Sequence, residues 1–352
     1  MLTVTELDIP RTWSLYFLEL IFYLLAARSF STASGARQMA SNIVSNEERT
    51  RRTAGDYVGE IPKGISANIS LLSGAPSNCP ALVFEGVDEC VGGGGGRGEA
   101  DLTLFYLHGG AYILPPSALQ FNFVAMLIKR LEKMTSRRVR GILPLYPLAQ
   151  LRKGGIKPRE TINAVEDVLR IACESSSGSG LGPIVILGDS AGGGLALALA
   201  QRLVQTNNQL SQRMVSLNLF SPWCDVSLSL RNAMQVQEKT CCMLRIEGLA
   251  ECGKLYCGRD FGDESLSLTD PEASPLFGSF EGLPSTSLFV GTYELLLPEG
   301  RALRDKMAAS NCKIRYVEGK GMPHVWPLLP LQDAEPAVEL LLQGIIDNLK
   351  KG

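Results

Sequence analysis

The sequence predicts an α/β fold: a mostly parallel central sheet covered by helices, with a helical cap built from the N-terminus and an insertion. Three observations carry that reading. Short apolar runs of strand length alternate with longer amphipathic stretches from about residue 102 to the C-terminus, the pattern that parallel β-α-β crossovers require. One interval, about 225–270, is mixed and cysteine-bearing and breaks the alternation, as an inserted lid would. Hydrophobic residues make up 45% of the 352 and charged residues 20%, so most of the chain packs a core.

Taken in order, the first element is the run WSLYFLELIFYLLAA at 13–27, apolar except for Glu19. It is shorter than the roughly twenty residues of a helical membrane span. No basic stretch precedes it and no small-residue cleavage site follows, so cleaved secretion is not expected. Two readings stand. Residues 13–27 form a helix packed on the main domain or lying at a membrane surface, or they form a single anchor. As an anchor, with Arg28, Arg37, Arg51 and Arg52 after it and Arg11 before it, they would leave the main domain in the cytosol. The expected location is cytoplasmic or membrane-associated, the endoplasmic reticulum included. Residues 29–53 read as a short helix or linker. The expected organisation is thus 1–53 as hydrophobic helix and cap or linker, and 54–352 as the main domain, with the cap insertion at about 225–270.

Strands are predicted at 64–71, 81–87, 102–107, 139–145, 184–188, 215–220, 287–291 and 313–318. Helices are predicted near 117–135, 159–174, 191–206, 299–309 and 334–350. Five consecutive glycines, Gly92 to Gly96, resemble a phosphate loop only in composition. No Gly-Lys-Ser/Thr follows and the next element is a strand, so they read as a hairpin tip, and GSGLG at 178–182 is dismissed on the same ground. Lys and Arg number 34 against 36 Asp and Glu, which excludes a basic nucleic-acid surface. Two histidines and nine scattered cysteines without a CxxC pair predict no metal site.

The chemistry concentrates at IVILGDSAGG, residues 184–193. Gly188-Asp189-Ser190-Ala191-Gly192 is a G-x-S-x-G pattern between an apolar strand and an alanine-rich helix, the setting in which a tight turn lifts a serine hydroxyl to the sheet edge. Serine needs a positioned base, and only His108 and His324 are available. His108 lies in His108-Gly109-Gly110-Ala111 after a strand, where this arrangement supplies an oxyanion loop. It reads as a scaffold, with the Gly109 and Gly110 N–H groups joining that of Ala191. His324 follows the last strand and reads as the base. Glu294 occupies the turn after the penultimate strand and reads as the acid that orients it, with Glu299 and Asp270 as rivals.

Together these residues resemble the hormone-sensitive-lipase-like branch of the α/β-hydrolases, which includes arylacetamide deacetylases, fungal steryl acetyl hydrolases and microbial esterases. The likeness rests on HGG at 108–110, Tyr146-Pro147-Leu148-Ala149, GDSAGG at 188–193 and SPW at 221–223. It continues through Asp270-Pro271 with Ser274-Pro275, the Gly291–Glu294 turn, and Gly321-Met322 ahead of His324. It implies a Ser190–His324–Glu294 triad, an oxyanion hole of Gly109, Gly110 and Ala191, and no cofactor. The implied partner is a small-molecule ester, with a short acyl group on a hydrophobic alcohol or natural product. The sequence departs from the family at Ala111, where a third glycine is common, and Tyr112 follows it. An acyltransferase, amidase or cyclising thioesterase would share the same triad, and a binding protein that keeps the pocket without turnover is the reading of a different class.

Overall fold

The computed structural model describes residues 1–19, 32–41, 67–72, 75–86, 100–149, 157–174, 182–259 and 265–351. Three of its strands are buried at every position: β4 (Leu102–Leu107), β6 (Ile184–Asp189) and β8 (Thr286–Gly291). A strand buried along both faces needs cover on both, and the side chains divide accordingly. Ile184 and Ile186 of β6 enter one apolar cluster, while Val185 and Leu187 enter a second on the opposite face. The first cluster is filled by α3 (Pro158–Glu174), α4 (Ser190–Gln205) and α7 (Leu297–Ala309), and the second by α2 (Ala118–Thr135) and α8 (Glu335–Leu349).

The remaining strands are β1 (Leu2–Leu7), β2 (Ala67–Leu72), β3 (Ala81–Gly86), β5 (Val139–Pro144), β7 (Met214–Phe220) and β9 (Ile314–Gly319). The nine run in the order β1-β9-β8-β7-β6-β4-β5-β3-β2, antiparallel at the β2–β3 and β3–β5 pairs and parallel elsewhere. The predicted strands and helices fall on these elements within a few residues. The exception is β1, which the sequence reading passed over. Its LTVTEL alternates with period two and pairs parallel with β9, from Leu2 opposite Ile314 to Leu7 opposite Gly319. The N-terminal segment thus contributes an edge strand as well as helix.

Residues 13–19 are helical, and 20–27 of the predicted apolar run lie outside the described residues, as do Gly92–Gly96 and 178–181. Thr12 caps the helix by accepting from Leu15 N, and its own N–H and hydroxyl donate to Asp333, at 3.0 and 2.8 Å. Leu15 is buried in the second cluster. Among the described residues no helix is long and apolar enough to cross a membrane. The insertion carries α5 (Arg231–Gln237) and α6 (Ile246–Tyr256), and α6 packs against α1 (Ala33–Ser41), where Arg37 pairs with buried Glu251. N-terminal segment and insertion therefore meet in one helical layer.

Candidate active site

β6 ends at Asp189 and α4 begins at Ser190, with no residue between. The turn forces Ser190 into the left-handed region at φ 52°, a strain of about 1–3 kcal/mol that only surrounding structure can hold. Small neighbours make the turn sterically possible. A Cβ at Gly188 would run into the Gly192 carbonyl, and one at Gly192 into the carbonyl oxygens of Leu107 and His108. Gly194 lies as tightly on the Trp223 carbonyl of the loop after β7, and Gly193 lies close on Pro222 beside it.

Three chain-distant side chains converge here. His324 Nε2 stands 3.0 Å from Ser190 Oγ, and its Nδ1 stands 2.7 Å from Glu294 Oε2. The carboxylate accepts the Nδ1–H, so the Nε2 lone pair faces the serine hydroxyl. Glu294 Oε1 accepts the Gly291 N–H at 2.9 Å, which fixes the carboxylate against its own strand. Ser190 is 8% exposed, and Glu294 and His324 are buried deeper still. Neither rival acid takes the position beside the imidazole. Glu299 Oε2 accepts the N–H groups of Cys224 and Asp225, and Asp270 accepts from Glu272 N in its own turn.

The loop after β4 stands opposite. His108 Nδ1 bonds the Gly109 carbonyl at 2.8 Å, its ring stacks 4.2 Å from that of Tyr146, and Tyr146 OH donates to the His108 carbonyl. The histidine thus braces the loop, and the imidazole at Ser190 belongs to His324. One expectation is corrected. The Gly109 N–H does not face a substrate; it donates to Asp189 Oδ1 at 2.8 Å. A carboxylate that close takes the donor away from any carbonyl. Among the described residues the Gly110 and Ala111 N–H groups have no acceptor, and Ala191 lies in the first turn of α4, whose N–H groups have no intrahelical partner. Gly110 sits at φ 121°, open only to glycine, and Ala111 and Tyr112 follow at 53° and 61°. The Ala111 N–H leaves no signal in the sequence, because a backbone donor needs no particular side chain.

Asp189 ties the two loops together. Its Oδ1 also accepts from Tyr106 OH at 2.7 Å and its Oδ2 from Gln120 Nε2 at 3.3 Å. Gln120 itself closes the capping box of α2 by accepting from Ser117 N. Burial pushes the Asp189 carboxyl up, and these three donors and nearby His324 pull it back down. The Tyr112 side chain turns toward the cap, where its ring lies parallel to that of Tyr256 at 3.7 Å and tilted against Trp223 at 5.8 Å. Burial pushes the Cys252 and Cys257 thiols up to about 12, so neither is a thiolate near neutrality. Among the described residues no group of three or more His, Cys, Asp or Glu is placed to hold a metal ion.

Residues 104–328 match the sequence profile of the α/β-hydrolase fold. The chain belongs to that family. A mycobacterial triacylglycerol lipase (Mycobacterium tuberculosis) is 29% identical over 63% of this chain, a match spanning only 41% of that protein. An esterase of Acinetobacter venetianus is 32% identical over 64% of this chain and 68% of its own. An acetyl-hydrolase of Streptomyces hygroscopicus is 30% identical over 65% of this chain and 70% of its own. Among solved structures, an esterase of the bacterial hormone-sensitive lipase family superposes with a TM-score of 0.70 at 21% identity, covering 97% of this chain and all of that one. The α/β-hydrolase family expected from HGG and GDSAGG is therefore the family found.

Proposed function

We propose that this protein is a serine esterase in which Ser190, His324 and Glu294 form the triad and the Gly110, Ala111 and Ala191 N–H groups form the oxyanion hole. The observation that carries the reading is the unbroken line from Glu294 through both nitrogens of His324 to Ser190 Oγ. Ser190 Oγ attacks the ester carbonyl as its proton passes to His324 Nε2, and the carbonyl oxygen becomes an oxyanion. The C–O bond to the alcohol then breaks as Nε2 returns the proton to the leaving oxygen. Water, activated by the same imidazole, attacks the acyl-serine, and the acid departs with Ser190 restored. None of these steps calls on a cofactor. The name of the acetyl-hydrolase relative supports a short acyl group, and the preferred alcohol is hydrophobic, by likeness to the hormone-sensitive-lipase-like branch.

The test is fluorophosphonate labelling of wild type and Ser190→Ala, beside hydrolysis of p-nitrophenyl esters from acetate upward. Labelling is expected in wild type alone, turnover should fall at least about 10⁴-fold in the variant, and acetate should outpace long chains. A folded wild type that neither labels nor hydrolyses would move the binding-protein reading to the front. For the N-terminal run, we propose contact with a membrane surface through Trp13 and Phe17, one helical turn apart and 89% and 66% exposed.

A further inference from the structure

The loop after β7 bonds with every element that carries a member of the triad. Trp223 N donates to the Ser190 carbonyl at 2.8 Å, and Ser221 N donates to the Phe289 carbonyl of β8 at 2.7 Å. Ser221 Oγ accepts from Val325 N, beside His324, at 3.0 Å. Three of these residues are held in the left-handed region without being glycine: Ser190, Ser221 and Val325, at φ 52°, 45° and 52°. Such conformations persist only where neighbouring contacts enforce them. The far end of the loop is gripped by one side chain. Glu299, 1% exposed in the first turn of α7 and five residues beyond Glu294, accepts from Cys224 N at 3.0 Å and Asp225 N at 3.2 Å on the same oxygen, Oε2.

The same two residues root the cap insertion. Asp225 accepts from the backbone and hydroxyls of Ser227 and Ser229, Val226 N donates to Ser274 Oγ, and Leu276 N donates to the Cys224 carbonyl. Both ends of the cap segment and the loop under Ser190 therefore hang on positions 224–226.

We infer that Glu299 is a positioning residue of this site: through the Cys224 and Asp225 N–H groups it holds loop 221–225, and that loop holds Ser190 and His324 in register. It touches no reacting atom. The inference rests on the triad proposed above. Glu299 acts as the neutral acid. Its carboxyl is pushed well above the usual range by burial first, then by Asp225 of the loop and Glu294 of the turn, against the pull of its two N–H donors. The Cys224 thiol beside it is itself pushed up by burial, so it contributes no charge near neutrality. A second anion here would face the Glu294–His324 pair; the proton on Glu299 keeps that charge away while Oε2 goes on accepting.

The test compares Glu299→Gln and Glu299→Ala with wild type by amide hydrogen exchange and by ester kinetics. Glutamine keeps an acceptor oxygen and carries no charge. Glu299→Ala should speed exchange at least tenfold in peptides covering 221–226, and in those covering 188–194 and 322–326, while β4 and α2 stay protected. Its kcat should fall ten- to a hundredfold with KM changed less than threefold. Glu299→Gln should restore the protection and most of kcat, with the acidic limb of its pH profile where wild type has it. Unchanged exchange in the alanine variant overturns the inference whether or not the protein hydrolyses esters. A glutamine variant as slow as alanine, or with its acidic limb displaced, overturns the neutral form by showing that the charge is needed. Faster exchange in a protein that does not label with fluorophosphonate upholds the clamp and removes the esterase reading instead.

Discussion

Two buried carboxyls outside the proposed triad, Asp189 and Glu299, differ in their surroundings, and the difference divides their roles. Asp189 has donors on both oxygens, from Tyr106, Gly109 and Gln120, so its burial is compensated. Glu299 has both donors on Oε2, and its buried Oε1 has no partner among the described residues. The pH consequence has a definite sign. Glutamate ordinarily titrates near 4.5, and Glu299 titrates well above that in the fold. Between the two values the folded chain holds a proton that the unfolded chain has released. Stability is therefore greatest below the ordinary value and falls as pH rises toward the folded one, by up to about 1.4 kcal/mol per pH unit for one proton. Urea midpoints measured from pH 4.5 to 8 should decline more steeply in wild type than in Glu299→Gln, and parallel curves would show the carboxyl ionised in the fold. At this scale the sequence read well where chemistry left no choice. With two histidines, and one of them inside an HGG loop, the base was nearly forced. Glu299 was legible only as a rival acid or helix-terminus residue, because its partners are backbone N–H groups of a loop some seventy positions away.

Between elements, the decisive contact is the one joining the loop after β4, proposed above to hold the oxyanion, to the cap. Tyr112 of the loop after β4 stacks on Tyr256 of α6, both buried, and α6 in turn packs on α1. Tyr256→Ala should open a cavity and cost about 3–5 kcal/mol of stability, read from the denaturation midpoint. It should also lower kcat for acetate esters, since Ala111 beside Tyr112 presents one of the free N–H groups. Full stability would mean that the cap floats free of the loop. The elements themselves were largely written in the periodicity. Six strands from 102 to 318 and five helices alternate as expected, because a doubly covered strand must be apolar along its length and a covering helix apolar on one side. β1 escaped because an edge strand needs only half of its residues apolar, and its pairing with β9 lies more than three hundred positions down the chain. The function of Asp189 as a cross-loop tie escaped for a similar reason. Its motif position was plain, but its partners come from β4, the loop after it and α2.

Across the whole molecule, the N-terminal helix stands against the same rim as the site. The Arg11 guanidinium lies 5.1 Å over the Tyr293 ring, next to Glu294, and 4.4 Å over Tyr16. The exposed Trp13 and Phe17 face outward from that rim. Co-sedimentation with phosphatidylcholine vesicles is expected for wild type and should drop severalfold in a Trp13→Ser, Phe17→Ser double variant of unchanged esterase activity. Equal partition of the two would assign the aromatic pair to no interface. By itself the sequence determined the fold class and the order in which strands, helices and motif loops follow one another, and it singled out the residues proposed as nucleophile and base, because each of these is written in local spacing. Only the tertiary structure decided that Gly109 gives its N–H to Asp189, that Ala111 rather than Gly109 is free beside Gly110, that Tyr112 belongs to the cap contact, and that loop 221–225 joins the triad elements. The physical reason is the same in each case. A hydrogen bond or a ring contact is committed by whichever partner stands within reach, and for residues thirty or more positions apart that is settled by how the sheet stacks its loops.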